Sequence, residues 1–121
     1  MLVNLPKPQP APALKWLAAS SGRRTHLIAV DDIIYLQSDN KYTRIVSRDA
    51  EYLMEESIKT LLQRLNAAVF LQVHRATIVN LCEVLLVERD ETGAGLIQLR
   101  HHKDVLRISA SFLKAFKAFL G

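Results

Sequence analysis

A single cysteine, Cys82, is all the thiol chemistry this chain possesses. That excludes an internal disulfide and fits a reducing compartment, and the apolar neighbours Leu81, Val84 and Leu85 predict a buried, inert thiol. Glycine is nearly as sparse: of the four in 121 residues, two fall in D-E-T-G-A-G from Asp90 to Gly95. That stretch reads as a hairpin connection, and no Gly-rich phosphate loop is present. Proline is absent after Pro12, and no window approaches the roughly 18 consecutive apolar residues of a spanning helix. The start also lacks the basic-then-apolar layout of a signal peptide, so a cytoplasmic location is expected. H-E-x-x-H, G-x-S-x-G and C-x-x-C are all missing, and His101 and His102, being adjacent, would face opposite sides of a strand. These absences predict a protein that is not an enzyme, with no catalytic residues, metal site or cofactor.

What is present begins with a boundary. All four prolines alternate in P-K-P-Q-P-A-P from Pro6 to Pro12, an extended polyproline-like spacer, with an SH3-type ligand as the competing reading. Ala13 to Ala19 has short helical character, and Trp16, the sole tryptophan, is expected to dock on the domain and close one end of its core. Residues 1–22 therefore read as linker and short helix, and 23–121 as one domain with a single core. A linker so placed suggests that another domain precedes it.

From Thr25 the pattern is mostly β with short helices, an α+β chain. Leu27 to Val30, Ile33 to Gln37, Thr43 to Val46 and Tyr52 to Met54 read as strands, with Ser38 to Tyr42 a hairpin turn in which Asp39 and Asn40 tolerate left-handed backbone. Ser57 to Leu65 carries Ile58, Leu61, Leu62 and Leu65 at helical spacing, with Glu55 and Glu56 at the end where the helix dipole favours negative charge. Glu83 to Arg89, Leu96 to Leu99 and Val105 to Ile108 complete the strands. Phe112 to Leu120 forms a closing helix that Ser109 or Ser111 can cap.

The most informative stretch is Phe70 to Asn80, F-L-Q-V-H-R-A-T-I-V-N, in which His74, Arg75 and Ala76 interrupt two β-forming runs. By itself such a break is a solvated turn more often than a binding loop. The net charge of +4, from sixteen Lys and Arg against twelve Asp and Glu, suits a polyanion but matters less than its placement. Lys41, Arg44, Arg48, Arg75, Arg100, Lys103 and Arg107 lie in or beside turns, and the field strengthens if those turns share one side.

The order of these segments carries a resemblance. V-D-D-I-I-Y-L-Q-S-D-N-K-Y-T-R-I-V from Val30 to Val46, with its D-x-K-Y hairpin, then S-I-K-T-L-L-Q-R-L from Ser57, then H-R-x-x-x-V-N from His74, resembles the LytTR family of DNA-binding domains from about Thr25 to Phe119. The resemblance implies an elongated antiparallel β fold with one internal and one C-terminal helix, and loops that enter successive major grooves. It implies transcriptional regulation by the output domain of a bacterial two-component response regulator, with a receiver domain preceding it. Phosphorylation there would pair two copies, as a homodimer, on repeated half-sites of double-stranded DNA.

Residue by residue, the first loop spans Asn40 to Arg44. Lys41 would meet phosphate, Thr43 would approach a base edge and Arg44 would follow. Tyr42 reads as a cross-strand packing residue ahead of one that stacks on a base. In the second loop Arg75 is the best base reader, since bidentate Arg to guanine is the commonest specific contact, and His74 either contacts phosphate or pins the loop. Family members usually have V-S-R before the closing helix, whereas Ile108-Ser109-Ala110 places alanine where that arginine stands. Arg107 or Lys114 would substitute from nearby, or one contact is lost. Ser109 and Ser111 remain able to bind phosphate. The other class of reading is a β-rich protein-interaction module without specific DNA binding. Single-strand binding ranks last, because the few aromatics occupy core-like positions.

Overall fold

The computed structural model describes residues 14–120. Its centre is a five-stranded antiparallel sheet of β3 (Ile33–Asp39), β4 (Tyr42–Ser47), β5 (Glu51–Met54), β6 (Phe70–His74) and β7 (Thr77–Asn80), in the order β5-β4-β3-β7-β6. One hairpin precedes it, β1 (Trp16–Ser21) with β2 (Arg24–Ala29), and a three-stranded sheet follows, β8 (Val84–Arg89), β9 (Gly95–Leu99) and β10 (Val105–Ile108) in the order β10-β9-β8. Helix α1 (Ile58–Arg64) lies between β5 and β6, and α2 (Ala110–Leu120) closes the chain. The expected mostly-β architecture with one internal and one C-terminal helix is the architecture observed. No helix among the described residues is long and apolar enough to cross a membrane.

The middle strand explains the layering. Ile33, Ile34, Tyr35 and Leu36 are all essentially fully buried, so β3 does not alternate between core and solvent, as a strand covered on both faces need not. An irregularity in its register between Ile33 and Tyr35 helps distribute this run over the two faces. Ile33 and Leu36 join Ile45 and Ile78 in a cluster with Leu17 and Ile28 of the first hairpin and Ile58, Leu61 and Leu65 at α1. Ile34 and Tyr35 join Val46 and Val79 in another, with Ile97, Leu106 and Ile108 of the three-stranded sheet and Leu113 and Phe116 of α2. The single core expected from chain length is thus two clusters, one on each side of a shared sheet.

Helix α1 starts at Ser57, whose hydroxyl oxygen accepts from the Thr60 N–H at 3.1 Å, satisfying a donor that the first turn cannot. Ser109 stands at the corresponding place before α2, its carbonyl accepting from Leu113 N–H at 2.8 Å. The Pro-rich segment and Ala13 lie outside the described residues.

Three expectations are corrected. Residues 16–21 are a strand, not a helix: they pair with β2 from Trp16 opposite Ala29 to Ser21 opposite Arg24, and Leu17 and Ala19 point into the core while Ala18 and Ser20 point out. The pairing and the period-two burial override the helical propensity of Ala and Leu. The same parity turns Trp16 outward, 55% exposed, so it does not close the core, and Leu17 does. Cys82 is also exposed. It sits in the 3-10 turn Leu81–Glu83, whose tight winding rolls the thiol out and buries Glu83 instead.

Asn80 anchors that turn to the central strand. Fully buried, it donates from Nδ2 to the Ile33 carbonyl at 2.9 Å and accepts at Oδ1 from Cys82 N–H at 2.9 Å. Replacing it by alanine strands both backbone groups, so Asn80→Ala should cost about 2–3 kcal/mol, read as a lowered midpoint in urea unfolding with an unchanged slope.

Candidate nucleic-acid interface

The register of the five-stranded sheet determines which turns are neighbours. Gln37, near the end of β3, lies opposite Arg44 of β4 on one side and Thr77 of β7 on the other. The β3–β4 turn, Asn40 and Lys41, and the β6–β7 turn, Arg75 and Ala76, therefore emerge from the same end of the sheet. A backbone hydrogen bond from Ser38 N–H to the Ala76 carbonyl, 2.8 Å, ties the two together.

Each turn has a local reason for its shape. Asn40 takes left-handed backbone, φ 57°, which asparagine tolerates far better than most side chains. The second turn follows a register irregularity between Gln72 and His74. It is braced by Gln72 Nε2 donating to the Arg75 carbonyl at 3.2 Å and by His74 Nδ1 accepting from Ala76 N–H at 3.3 Å. Of the two roles open to His74, the structure shows its ring pinning the loop. Lys41 and Arg75 are both exposed, and neither forms an ion pair among the described residues.

Other expected site residues are placed differently. Thr43 is 1% exposed and its hydroxyl donates to the Glu56 carbonyl at 2.6 Å. Alternation along β4 sets it on the same side as buried Ile45, facing the layer with α1, so it does not reach a base edge. Arg44 points to the opposite face, where its guanidinium is occupied: Nη1 meets Glu51 at 2.9 Å, and Nη2 donates to Gln37 Oε1 at 3.0 Å and to the Tyr35 hydroxyl at 3.3 Å. It braces three strands. Arg107 lies on the exposed face of β10. Ser109 and Ser111 stand at the start of α2, their hydroxyl oxygens 3.5 Å apart, with Ala110 exposed between them.

The basic turns do not all share one side. Arg48 N–H donates to the Asp32 carbonyl, just before β3 begins, so Arg48 sits at the far end of a seven-residue strand, about 20 Å from Lys41. Its guanidinium meets Glu83 Oε2 at 2.8 Å, and His101 Nδ1 lies 2.8 Å from Oε1. Facing an ionised carboxylate, which only accepts, His101 is the donor. Burial pushes the Glu83 carboxyl up, but the bonds from Arg48 and His101 outweigh it and leave it below its ordinary value. This buried carboxylate went unread in the sequence, where nothing in C-E-V-L-L distinguishes Glu83 from a solvated strand residue.

An antiparallel β domain that presents basic side chains on braced hairpin turns, with no recognition helix at that end, defines a loop-based nucleic-acid-binding class. Residues 23–121 match the sequence model of the LytTr DNA-binding domain, and the chain belongs to that family. It is 38% identical over 100 residues to an uncharacterized response regulatory protein of Vibrio cholerae, covering 79% of this chain and 37% of that protein. It is 36% identical over 102 residues to a heme-containing CO-sensing transcriptional regulator of Paraburkholderia xenovorans, covering 82% and 38%. The fold matches the LytTr DNA-binding domain of a Bacillus cereus protein with a TM-score of 0.83 at 17% identity, over 90% of this chain and 99% of that one. The chain thus spans well under half the length of these curated relatives.

Tyr35 links the middle of β3 to the second layer, its hydroxyl donating to Asp104 Oδ2 at 2.8 Å while accepting from Arg44. Burial and the Asp104 hydrogen bond push its pKa up to about 12. Because the folded value lies above the unfolded one, Tyr35 contributes stability that is full below about pH 10 and is lost as pH rises toward 12. Absorbance at 295 nm should show one of the three tyrosines titrating late. Stability of the wild type should fall over that interval with a steeper slope than that of Tyr35→Phe.

Proposed function

We propose that this domain binds double-stranded DNA through the sheet end carrying Lys41 and Arg75, as the output unit of a bacterial transcriptional regulator. The observation that carries the reading is two uncompensated cations on neighbouring turns, bonded to each other through Ser38 and Ala76, in a chain of the LytTr family. Every other arginine of the central sheet, Arg44 and Arg48, is occupied by a carboxylate.

The roles follow from the chemistry. Arg75, held by bonds to its own turn's backbone, offers a planar fork suited to the O6 and N7 of guanine. Lys41 is a compact charge for phosphate, and the left-handed backbone at Asn40 sets the direction in which it projects. His74 orients the turn through Nδ1, leaving Nε2–H for a phosphate oxygen. At the start of α2 the hydroxyls of Ser109 and Ser111, with the free N–H groups of the first turn, suit a phosphate further along the duplex. Arg107 projects among apolar side chains on the outer sheet face and stands outside this set. Ala110 holds the place where the resemblance to the family implies a base-facing arginine, so the domain works with one cation fewer and binds weakly alone.

Weak single-domain binding suits pairing on repeated half-sites, where a second copy held nearby multiplies affinity without new contacts. The pairing unit is proposed to be a phospho-accepting receiver domain in a longer protein in the cytoplasm. A related region in a CO-sensing regulator supports an output module that can serve more than one kind of sensor.

Fluorescence anisotropy tests the reading. With about four phosphates neutralised, affinity for duplex DNA should fall on the order of a hundredfold between about 50 and 200 mM salt. Lys41→Ala should reduce the log-log slope by roughly one, while Arg75→Ala should cost 10- to 100-fold on a selected sequence, equivalent to about 1–3 kcal/mol. Binding that is flat in salt, or unchanged by Arg75→Ala on selected sequences, overturns the proposal in favour of a protein-interaction module. Restoring the cation with Ala110→Arg, at an exposed first helical position, should raise affinity for the selected duplex about tenfold.

A further inference from the structure

The three-stranded sheet turns one face to α2 and the central sheet, and the other face away. Strict alternation along β10 buries Leu106 and Ile108 and exposes Val105 and Arg107. On β9, Ile97 and Leu99 are buried and Leu96 is exposed. A solvated outer face should carry polar side chains at such positions. Here Leu86, Leu96 and Val105 occupy three of them, 39%, 39% and 53% exposed.

The register arranges these residues in two rows. Leu86 lies opposite Gln98, and Gln98 opposite Val105; Glu88 lies opposite Leu96, and Leu96 opposite Arg107. Each row crosses the sheet from β8 to β10. Gln98 Nε2 donates to Glu88 Oε1 at 2.9 Å, which fixes the carboxylate on this face without neutralising it. Neither Glu88 nor Arg107 has an ion-pair partner among the described residues. A leucine thus stands between an unpaired anion on one edge strand and an unpaired cation on the other.

That pattern is self-complementary under one symmetry operation. We propose that this face docks on the same face of a second copy of the chain, related by a two-fold axis running parallel to β9. The operation lays β8 of one copy over β10 of the other, so Glu88 meets Arg107 of the partner subunit, and its own Arg107 meets the partner subunit's Glu88. Leu96 meets its own copy on the axis, and Leu86 meets Val105 of the partner subunit, across the roughly 10 Å that separates stacked sheets. A two-fold perpendicular to the strands would instead stack Glu88 on Glu88 and Arg107 on Arg107, which like-charge repulsion disfavours. Charge therefore selects the axis.

Size determines the strength. Three short strands, two rows deep, offer roughly half of the about 800 Å² per partner that a standard interface buries. Self-association should lie in the range of about 0.1–1 mM for the free domain, and become significant when two copies are already held close together. The inference uses none of the residues assigned to DNA, so it stands or falls separately from that reading.

Sedimentation and NMR on the whole chain, without DNA, test it. Between about 10 µM and 1 mM at low salt the average mass should rise toward a dimer. The amide shifts that move with concentration should cluster at Leu86, Leu96 and Val105 and not at Lys41 or Arg75. Glu88→Arg and Arg107→Glu should each weaken self-association at least fivefold. Mixed in equal amounts, the two variant chains should associate as well as the wild type, because each then presents the charges the other lacks. A wild type that stays monomeric at 1 mM overturns the proposal. So do concentration-dependent shifts confined to another surface, or a mixture that associates no better than either variant alone.

Discussion

The constraint on which the rest depends is that β3 has no solvent face. A run of Ile33-Ile34-Tyr35-Leu36 cannot sit on a sheet open to water on one side, because either register would expose two large apolar side chains at roughly 1.5–3 kcal/mol each. The chain must therefore supply a layer for each face, and it does so with sequence-local units: the β1–β2 hairpin and α1 on one side, β8 to β10 and α2 on the other. Once β3 is central, its hairpin partner β4 and its long-range partner β7 flank it. Their turns then necessarily emerge together. The pairing of Lys41 with Arg75 at one end is a consequence of core packing, and the two positions are otherwise far apart in sequence.

Within that frame the basic residues divide by whether a carboxylate reaches them. Arg48 and His101 converge on Glu83, whose burial would be costly without both. Their bonds join the β4–β5 turn, the turn after β7 and the loop between β9 and β10, so this cluster clamps the two sheets at one end. Arg44, Tyr35 and Asp104 make a second link between the sheets, further along β3. Charges spent in this way contribute little field. Lys41 and Arg75, exposed and without an ion-pair partner among the described residues, keep theirs, which is why a net charge of only +4 is compatible with a locally strong attraction for a polyanion.

Period and turn chemistry made most of the strand order legible. The runs around Ile33, Thr43, Phe70 and Val105 alternate or cluster as β-strands do, and Ile58 to Leu65 shows helical spacing. The helix assigned to residues 13–19 was misread because Ala and Leu favour helices locally, whereas the outcome was decided by pairing with β2, a tertiary effect no short window contains. Thr43 was misjudged for a related reason. A hairpin identifies a turn, but not which of two adjacent side chains faces the neighbouring layer, and a single step in parity moves a hydroxyl from groove to core. Glu83 and Cys82 exchanged their expected places because a 3-10 turn, invisible to a period-two reading, separates β7 from β8. His74 and Arg75 were legible because a basic pair between two β-forming runs has few places to go other than a turn.

The same geometry separates two surfaces with different tasks. The end of the central sheet holds exposed cations on short, braced turns, with Tyr42 and Leu53 exposed beside Lys41, and its charge suits a polyanion and gives salt-sensitive contact. The outer face of the second sheet differs in its charge, three exposed apolar side chains with one charge of each sign, which suits a surface like itself. The β8–β10 layer is required in any case to cover Tyr35 and Val46, and covering them fixes the parity of its outward positions. Polar residues at Leu86, Leu96 and Val105 would serve the fold equally well, since none of these side chains contributes to either buried cluster. Their apolar character is therefore not explained by the stability of one chain, and points instead to what two chains do together.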